Sequence, residues 1–301
     1  MRRLEWELQL DFPLDWELKL RFSVLPERPT PSVIKNGRWM RVLRVRGRPI
    51  PVIVESRGTV ESPRLVFSAP VRSRLERVEV EKLVKALHGL SGVEGLYRFM
   101  EGDSVLRRLK RELYGFGRAG LMAPTVYEGV VKAIIQQQIA LRVAESITAN
   151  LAERYGYSTE YAGEVVYDFP SPETLARLTV EELRGCGLSR AKSSYVKEFS
   201  AKVVKGFDPE SLRGKEPGEV MEALTRFKGI GRWTAELVMV ATLGLNVVPA
   251  DDLGVRKAVS HFYFDDELQP PDVVRRFVVE KFGSYLRDVI VYLLMAYRMG
   301  L

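Results

Sequence analysis

The sequence predicts an α+β fold in which an N-terminal antiparallel β-sheet domain precedes a mostly α-helical region. Two observations support this prediction. Up to about residue 85, short apolar–polar alternating segments are separated by Gly, Pro and Asn, which is typical of an antiparallel sheet with one solvated face. Beyond that point the apolar residues recur at three- and four-residue steps, as they do in amphipathic helices.

Four segments carry the strand pattern. In WELKLRF, the apolar residues Trp16, Leu18, Leu20 and Phe22 alternate with charged ones, which predicts a strand. The other three segments are RWMRVLRVRG, RPIPVIVESRG and PRLVFSAPV. The stretches KNG, RGRP and SRG contain turn-forming residues and predict turns between these segments.

The helical pattern begins at roughly Val80. In VYEGVVKAII the apolar side chains fall on one helical stripe. SPETLARL begins with Ser171 as a predicted N-cap and Pro172 at the first helical position, where proline is favoured. The sequence contains no internal repeat.

Composition restricts the kinds of site that the chain can build. The 46 Lys and Arg against 39 Asp and Glu give a net charge of +7, which suits a polyanionic partner. Cys186 is the single cysteine, and His88 and His261 are the two histidines, so we predict no metal site and no cofactor. No run approaches the roughly 18 apolar residues of a membrane span, and the N-terminus lacks the apolar core of a signal peptide. We therefore expect a soluble intracellular protein that does not bind membranes.

A glycine-rich turn separates two predicted helices in FKGIGRWTAE. Gly229 and Gly231 allow a tight turn whose backbone N–H groups, beside the start of a helix, can bind a phosphate oxygen. An ordinary αα-hairpin with a glycine C-cap also explains this stretch. A dinucleotide-binding fold does not, because the third glycine and the βαβ context are missing.

An aspartate pair follows in PADDLGVRKA. Asp251 and Asp252 precede a predicted helix, where an acidic residue can cap the helix and complement its dipole. Asp252 follows Gly229 by 23 residues, and one apolar helix in that interval would bring the acid back near the hairpin.

Together the two stretches resemble the helix-hairpin-helix (HhH-GPD) DNA glycosylase superfamily, and in particular the 3-methyladenine DNA glycosylase II type. YEGVVKAIIQQQIALRVA, LRGCGLSRAKSSYVKEFSAKV and FGSYLRDVIVYLLMAYR are similar to further blocks of that family. The resemblance covers nearly the whole chain and is strongest from Tyr127 onward. Ala140 stands where the family usually has serine.

The resemblance implies a monofunctional DNA glycosylase of base excision repair, which flips a damaged, alkylated purine out of double-stranded DNA and leaves an abasic site. It implies that Asp252 is catalytic and that Asp251 is an N-cap or a bystander. It also implies that Gln137 or Gln138 fills the gap left by the everted nucleotide, although a polar inter-helix loop explains these glutamines too. The DNA backbone would be held by main-chain groups of the hairpin, often with a bound monovalent cation, in a stretch comprising Lys228, Gly229, Ile230, Gly231, Arg232 and Thr234.

Trp233 occupies the position of the Schiff-base lysine in glycosylases that also nick the strand, and an indole cannot do that chemistry. Its ring is predicted to face a cationic base, with core packing as the alternative. Tyr285 is predicted to line the same base pocket, although it fits a helix equally well. Two other functions stay open: a bifunctional glycosylase/lyase for oxidised bases using Lys228 or Lys257, and a non-catalytic DNA-binding protein.

The chemistry itself needs a carboxylate. As the base departs, positive charge builds on the deoxyribose, and an ionised Asp252 would stabilise it. We predict a β-sheet domain over residues 1–88. A helical subdomain that carries the aspartate is predicted over 89–123 and 244–301, and one that carries the hairpin over 124–243. A monomer in a prokaryotic cytoplasm, associated with the nucleoid, is expected.

Overall fold

The computed structural model describes residues 4–301 and has the α+β architecture that the sequence predicts, with an antiparallel sheet followed by helices. Residues 1–3 of the predicted first domain lie outside the described residues. The sheet order is β1-β5-β4-β3-β2, and every pairing is antiparallel. The strands are β1 (Leu4–Gln9), β2 (Val33–Lys35), β3 (Arg38–Val45), β4 (Arg48–Gly58) and β5 (Pro63–Ala69).

One segment predicted as a strand is a helix. WELKLRF forms α1 (Trp16–Leu20), and the Asp15 side chain caps it by accepting from the Leu18 amide. The alternation was misleading because the intervening Lys19 is buried while Glu17 and Arg21 are exposed, so the polar positions do not form one solvated face. Its ammonium donates to the carbonyls of Phe116 and Arg118 at 2.7 and 2.5 Å, and burial lowers the pKa of Lys19 to about 7.

The sheet does not keep one solvated face throughout, as the alternation had suggested. A two-stranded hairpin, β6 (Ser158–Tyr161) and β7 (Glu164–Tyr167), lies within the helical region and was not predicted. Its residues Tyr161 and Val166 pack against the second face of the central strands. The strand residues that this hairpin covers are Val33, Met40, Val42 and Ile53.

Helices make up most of the remaining chain. The first of them, α2, begins at Arg74 after an N-cap at Ser73, six residues earlier than the apolar pattern indicated. The predicted cap at Ser171 with Pro172 at the first helical position is observed. The helices are α2 (Arg74–His88), α3 (Glu94–Glu101), α4 (Ser104–Glu112), α5 (Val126–Gln136), α6 (Leu141–Tyr155), α7 (Pro172–Arg177), α8 (Val180–Gly185), α9 (Arg190–Val204), α10 (Pro217–Thr225), α11 (Arg232–Val238), α12 (Leu253–Tyr263), α13 (Pro271–Phe282) and α14 (Leu286–Met299). A π-helical turn, Met239–Leu243, extends α11.

Two large apolar cores organise these helices. One joins the sheet to α2–α4 and α12–α14, and the other is formed by the helices from α5 to α11. Helix α11 belongs to the second core and α12 to the first. The loop between them therefore crosses the junction of the two cores.

A buried ion pair links the sheet to the second core. Arg41 of β3 donates to the carboxylate of Glu128 on α5, and the two side chains are 1% and 3% exposed. The Lys132 ammonium lies 3.9 Å from the same carboxylate and donates to the carbonyl of Thr30 at 2.9 Å. Unpaired charges at this depth are costly, so the pair fixes how the sheet sits on α5.

Candidate active site

The predicted hairpin connects α10 to α11. The chain leaves α10 at Thr225, and the Ile230 amide donates to the Phe227 carbonyl at 3.1 Å to close the turn. Gly229 has φ +83°, and a Cβ there would lie 2.2 Å from the Tyr195 ring, so both the backbone and the packing require glycine. Gly231 precedes α11 without any side-chain cap. The first N–H groups of α11 have no acceptor within the helix.

The two ends of the hairpin motif are exposed, and one residue between them is buried. Lys228, Gly231 and Arg232 are exposed, whereas Ile230 is buried at 4% exposure and anchors the turn in the second core. A turn that is anchored by one apolar side chain and exposes the residues around it can present its backbone to an external partner.

Asp252 lies directly against the helix that follows the hairpin. Its Oδ2 accepts a hydrogen bond from the Trp233 Nε1 at 3.2 Å, and its Oδ1 accepts from the Val255 amide at 3.0 Å. The chain thus returns to the hairpin as the 23-residue spacing predicted. Among residues 4–301, no lysine or arginine forms an ion pair with this half-buried carboxylate.

The structure assigns the cap of α12 to a different aspartate from the one that the sequence suggested. Asp252 itself is the N-cap of α12, so of the two roles expected for Asp251 the N-cap is wrong and the bystander remains. Asp251 is exposed and lies 3.6 Å from the guanidinium of Arg275 on α13. A carboxylate can therefore cap the helix with one oxygen and leave the other for chemistry.

The sequence did not indicate a cationic side chain, Arg298, that interacts electrostatically with Asp252. Burial lowers the pKa of Arg298, and the carboxylates of Asp252 and Glu145 partly offset this effect, so both acids are within electrostatic range. The Arg298 guanidinium sits 5.0 Å from the centre of the exposed Phe22 ring. Phe22 follows α1, and its place near the site could not be foreseen once the segment was predicted as a strand.

The two glutamines of the α5–α6 loop point in different directions. Gln137 donates from Nε2 to the Gly229 carbonyl at 2.7 Å and to the Thr234 Oγ1 at 2.9 Å, so it is tied to the hairpin. Gln138 is exposed and has φ +54°. Lys192 on α9 fixes the loop by donating to the Gln137 carbonyl at 2.5 Å, and burial lowers the pKa of Lys192. The sequence predicted the loop, and the structure shows that its two glutamines are not equivalent.

Tyr285 does not join this group. Its ring packs against that of Phe99 in a tilted arrangement at 5.0 Å between centroids, and its hydroxyl lies against Gly95 of α3. It precedes the first residue of α14, whereas Arg298 is near the last turn of that helix. Thirteen residues of helix span about 20 Å, so the structure does not bring Tyr285 to Asp252.

Helix α11 is held to the loop that precedes Asp252 by a second set of contacts. Glu236, with a side chain 4% exposed, accepts from Arg232 Nε at 2.9 Å. The same carboxylate accepts from Arg275 Nη2 of α13 at 3.1 Å and lies 2.9 Å from its Nη1. Arg275 also donates to the Val248 carbonyl at 3.0 Å.

Two absences among the described residues restrict the kinds of site that this part of the chain can form. No group of three or more His, Cys, Asp or Glu side chains within residues 4–301 is arranged to hold a metal ion. No helix over the same residues is both long and apolar enough to cross a membrane.

Comparison with known proteins gives two family matches. Residues 131–283 match the model of the HhH-GPD superfamily of base excision DNA repair proteins. Residues 5–88 match an AfAlkA-like, TATA-box binding protein-like domain. The two matches together cover the sheet, the hairpin and the aspartate.

Similar proteins carry related names. A solved 3-methyladenine DNA-glycosylase from Archaeoglobus fulgidus is 44% identical with a TM-score of 0.92, and the alignment covers 98% of this chain and 99% of that one. A DNA-3-methyladenine glycosylase of Bacillus subtilis is 28% identical over 60% of this chain. The match spans 61% of that relative's length, so this chain aligns with about three fifths of it. A Schizosaccharomyces pombe 3-methyladenine DNA glycosylase solved with abasic DNA is 24% identical over 66% of this chain and 94% of that one, with a TM-score of 0.56, and shares the fold.

Proposed function

Because this chain belongs to the HhH-GPD superfamily of base excision DNA repair proteins, we propose that it is a monofunctional DNA glycosylase for alkylated purines. It would act as a monomer without a cofactor on double-stranded DNA in a prokaryotic cytoplasm, and leave an abasic site. The observation that carries this proposal is the placement of Asp252, with one oxygen on an indole N–H and no ion-pair partner among the described residues, beside the helix that leaves the hairpin.

The three-part division expected from the sequence is retained in this proposal. The sheet domain of residues 1–88 supports the helices, residues 124–243 hold DNA through the hairpin, and residues 89–123 with 244–301 contribute the aspartate. The catalytic cleft would then lie where α11 meets the loop before α12. The contact between Trp233 and Asp252, which crosses the junction of the two cores, supports this placement.

Backbone binding is assigned to the hairpin. The uncapped first turn of α11 and the turn before it offer N–H groups to a phosphate, while Lys228 and Arg232 add positive charge at the exposed rim. Contacts of this kind hold DNA without reading its sequence. Binding is therefore expected to weaken with salt and to depend little on the flanking bases.

Gap filling is assigned to Gln138 rather than Gln137. A nucleotide that is swung out of the duplex leaves a hole, and occupying the hole offsets the lost stacking of a few kcal/mol. Gln138 is exposed in a positive-φ conformation, whereas the Gln137 amide is engaged with the hairpin. Gln137 would instead keep the inserted loop at a fixed distance from the hairpin.

Base release follows from the charge of Asp252. When the glycosidic bond breaks, the bonding electrons leave with the base and the sugar becomes oxocarbenium-like, which a nearby carboxylate stabilises. Trp233 holds Oδ2 in place with a neutral N–H and forms no ion pair with it. A purine alkylated at N3 or N7 is cationic and leaves as a neutral base, so no strong general acid is required. Water then adds to the sugar.

The bifunctional alternative is not favoured by the residue at position 233. The indole of Trp233 donates to Asp252 where a lyase would need an amine, so no Schiff base can form there. Lys228 and Lys257 are both exposed. A DNA-binding protein without catalysis would not need a carboxylate placed in this way.

The test is a panel of duplexes that each contain one lesion, among them 3-methyladenine, 7-methylguanine, 1-methyladenine and hypoxanthine, assayed for released base. We expect release of at least one alkylated base without strand cleavage. Borohydride should trap no covalent protein–DNA adduct. A trapped adduct would establish the lyase reading, and the absence of release from every duplex would refute the enzyme assignment.

A further inference from the structure

The second tether between α11 and the aspartate loop is built around one buried carboxylate. Glu236 is 3% exposed as a residue, and its two oxygens accept from Arg232 and Arg275. A carboxylate at this depth is stable only while its guanidinium partners stay in place. Its geometry is therefore closely tied to that of Arg275.

Arg275 carries the constraint from α11 to the catalytic loop. From α13 its Nη2 donates to Glu236 at 3.1 Å, and its Nη1 lies 2.9 Å from the same carboxylate and donates to the Val248 carbonyl at 3.0 Å. The guanidinium also lies 3.6 Å from Asp251. A planar guanidinium has several donors at fixed angles, so it can hold three partners in one arrangement. A lysine has one nitrogen and cannot reproduce this bridge.

The direct contact and the bridge act in parallel. Trp233 and Glu236 are three residues apart on α11, so their side chains leave the helix on neighbouring positions. Trp233 meets Asp252 itself, and Glu236 reaches residues 248–251 through Arg275. The loop that ends at Asp252 is thus fixed to α11 at its end and along its length.

We propose that Glu236 and Arg275 are positioning residues for base release, because they hold residues 248–251 so that Asp252 keeps its place beside Trp233. The inference rests on the function proposed above. It assigns a role in the rate of the chemical step, and no contact with DNA, to two residues outside the hairpin and the aspartate pair.

A direct role in DNA binding is the rival explanation. Arg275 lines an open cleft of about 580 Å³ together with Arg232 and Arg276, and although three carboxylates also line it, these arginines near the hairpin could hold a phosphate. Arg276 is exposed and is next to Arg275 on α13, so it offers a matched control. Removing either arginine lowers the positive charge equally, but only Arg275 is bonded to Glu236.

The experiment compares Arg275→Met, Arg275→Lys, Glu236→Gln and the control Arg276→Met. Single-turnover base release is measured at saturating protein, and Kd is measured with a duplex that contains an abasic site. We expect both Arg275 variants to release base about 10- to 100-fold more slowly, as small misplacements of a reacting group do. Their Kd should stay within about threefold of the wild-type value, and Arg276→Met should keep the wild-type rate.

A second readout does not depend on activity. The chain contains four tryptophans, so 5-fluorotryptophan labelling gives four ¹⁹F resonances, and Trp233→Phe identifies the one from Trp233. We expect that resonance to shift in Arg275→Lys, Arg275→Met and Glu236→Gln, and to stay unchanged in Arg276→Met. This measurement tests the bridge even if the wild-type protein releases none of the bases offered.

Several results would overturn the inference. A wild-type rate of base release in Arg275→Lys would show that only the positive charge at this position matters. Weaker DNA binding with an unchanged rate at saturating protein would make Arg275 a DNA contact. An unmoved Trp233 resonance in every variant would show that the bridge does not reach Asp252. If Arg275→Met fails to fold, Arg275→Lys and Glu236→Gln decide the matter by the same two readouts. Failure of the proposed function itself would be seen separately, as a wild-type protein without base release.

Discussion

Helices α4 and α12 begin in the same way, and they differ in what faces the capping carboxylate. Asp103 caps α4 by accepting from the Leu106 amide at 3.0 Å, and Asp252 caps α12 by accepting from the Val255 amide at the same distance. Both are aspartates in the extended conformation that helix caps adopt. The local structure alone would assign them the same role.

Their remaining contacts separate them. Lys281 forms an ion pair with Asp103 at 2.8 Å, and the Tyr263 hydroxyl donates to it at 3.0 Å. Burial raises the pKa of Asp103, but the hydrogen bonds from Lys281, the Leu106 amide and Tyr263 outweigh it and hold the pKa below its usual value. Asp252 has only the neutral indole of Trp233 on its second oxygen.

The difference shows how one local motif can serve stability or chemistry. At α4 the negative charge is already matched by a lysine, so it cannot stabilise a new positive charge nearby. At α12 the cap is satisfied while the charge stays available. We therefore expect substitution of Asp252 to lower activity with little change in stability. Substitution of Asp103 should lower stability and leave activity unchanged.

The largest expected effect comes from Asp252→Asn. Asparagine caps a helix as well as aspartate does, so the free energy of unfolding should change by less than about 0.5 kcal/mol. The rate of base release should fall at least about 100-fold, because the charge that stabilises the sugar is lost. Thermal unfolding and single-turnover assays check both halves. A variant that retains its rate would remove Asp252 from the mechanism.

Trp233→Phe should have the next largest effect. It keeps an aromatic ring but removes the N–H that orients Asp252, and we expect release to slow by about tenfold, as for the loss of a hydrogen bond to a charged group. Trp16→Phe is the matched control, since it also removes an indole N–H, which donates to the Gly37 carbonyl at a position far from Asp252 in the sequence. That control should lower stability and leave the rate unchanged. Equal rate losses in both variants would show that the effect is not local to Asp252.

Asp103→Asn should reverse the pattern seen at Asp252. The cap persists but the ion pair with Lys281 is lost, so unfolding free energy should fall by about 1 kcal/mol while base release is unchanged. Because the pKa of Asp103 is lowered in the folded state, its stabilisation is present above the usual pKa and is lost as pH falls through the folded pKa. The difference between variant and wild type should therefore shrink in acid below about pH 4. Urea unfolding across pH measures this, and a constant difference would contradict it.

Asp251→Asn should have the smallest effect. The side chain is exposed and its ion pair with Arg275 is long, at 3.6 Å, so we expect a change of less than about twofold in rate. Single-turnover assays of this variant beside Asp252→Asn test which of the two adjacent acids is catalytic. A larger loss at Asp251 than at Asp252 would exchange their roles.

The sequence predicted those features that depend on local backbone chemistry. The glycines of the hairpin and the spacing to Asp252 placed the turn beside the acid, because positive φ and helix capping are properties of a few adjacent residues. The order of sheet and helices followed from apolar periodicity, which reports burial along one segment at a time.

What the sequence could not predict depends on partners far along the chain. The charged Lys19 gave α1 the apolar–polar alternation of a strand. The sequence could not show that its ammonium is buried, because the carbonyls that accept its hydrogen bonds lie about 100 residues later. Gln137 and Gln138 are adjacent and chemically alike, yet only contacts with Gly229 and Lys192 decide which one faces outward. The bridge through Arg275 to Glu236 likewise joins helices whose proximity no pattern in either segment reveals.

The ion pair between Arg41 and Glu128 has a consequence for dissecting the protein. Truncation that removed the sheet would take away the Arg41 partner of Glu128, with Lys132 at 3.9 Å as the remaining cation, and would uncover the apolar core that the sheet shares with α3, α4 and α12–α14. A large exposed apolar surface favours aggregation. Residues 89–301 expressed alone should therefore aggregate or be degraded by proteases. The intact chain should melt in a single cooperative transition.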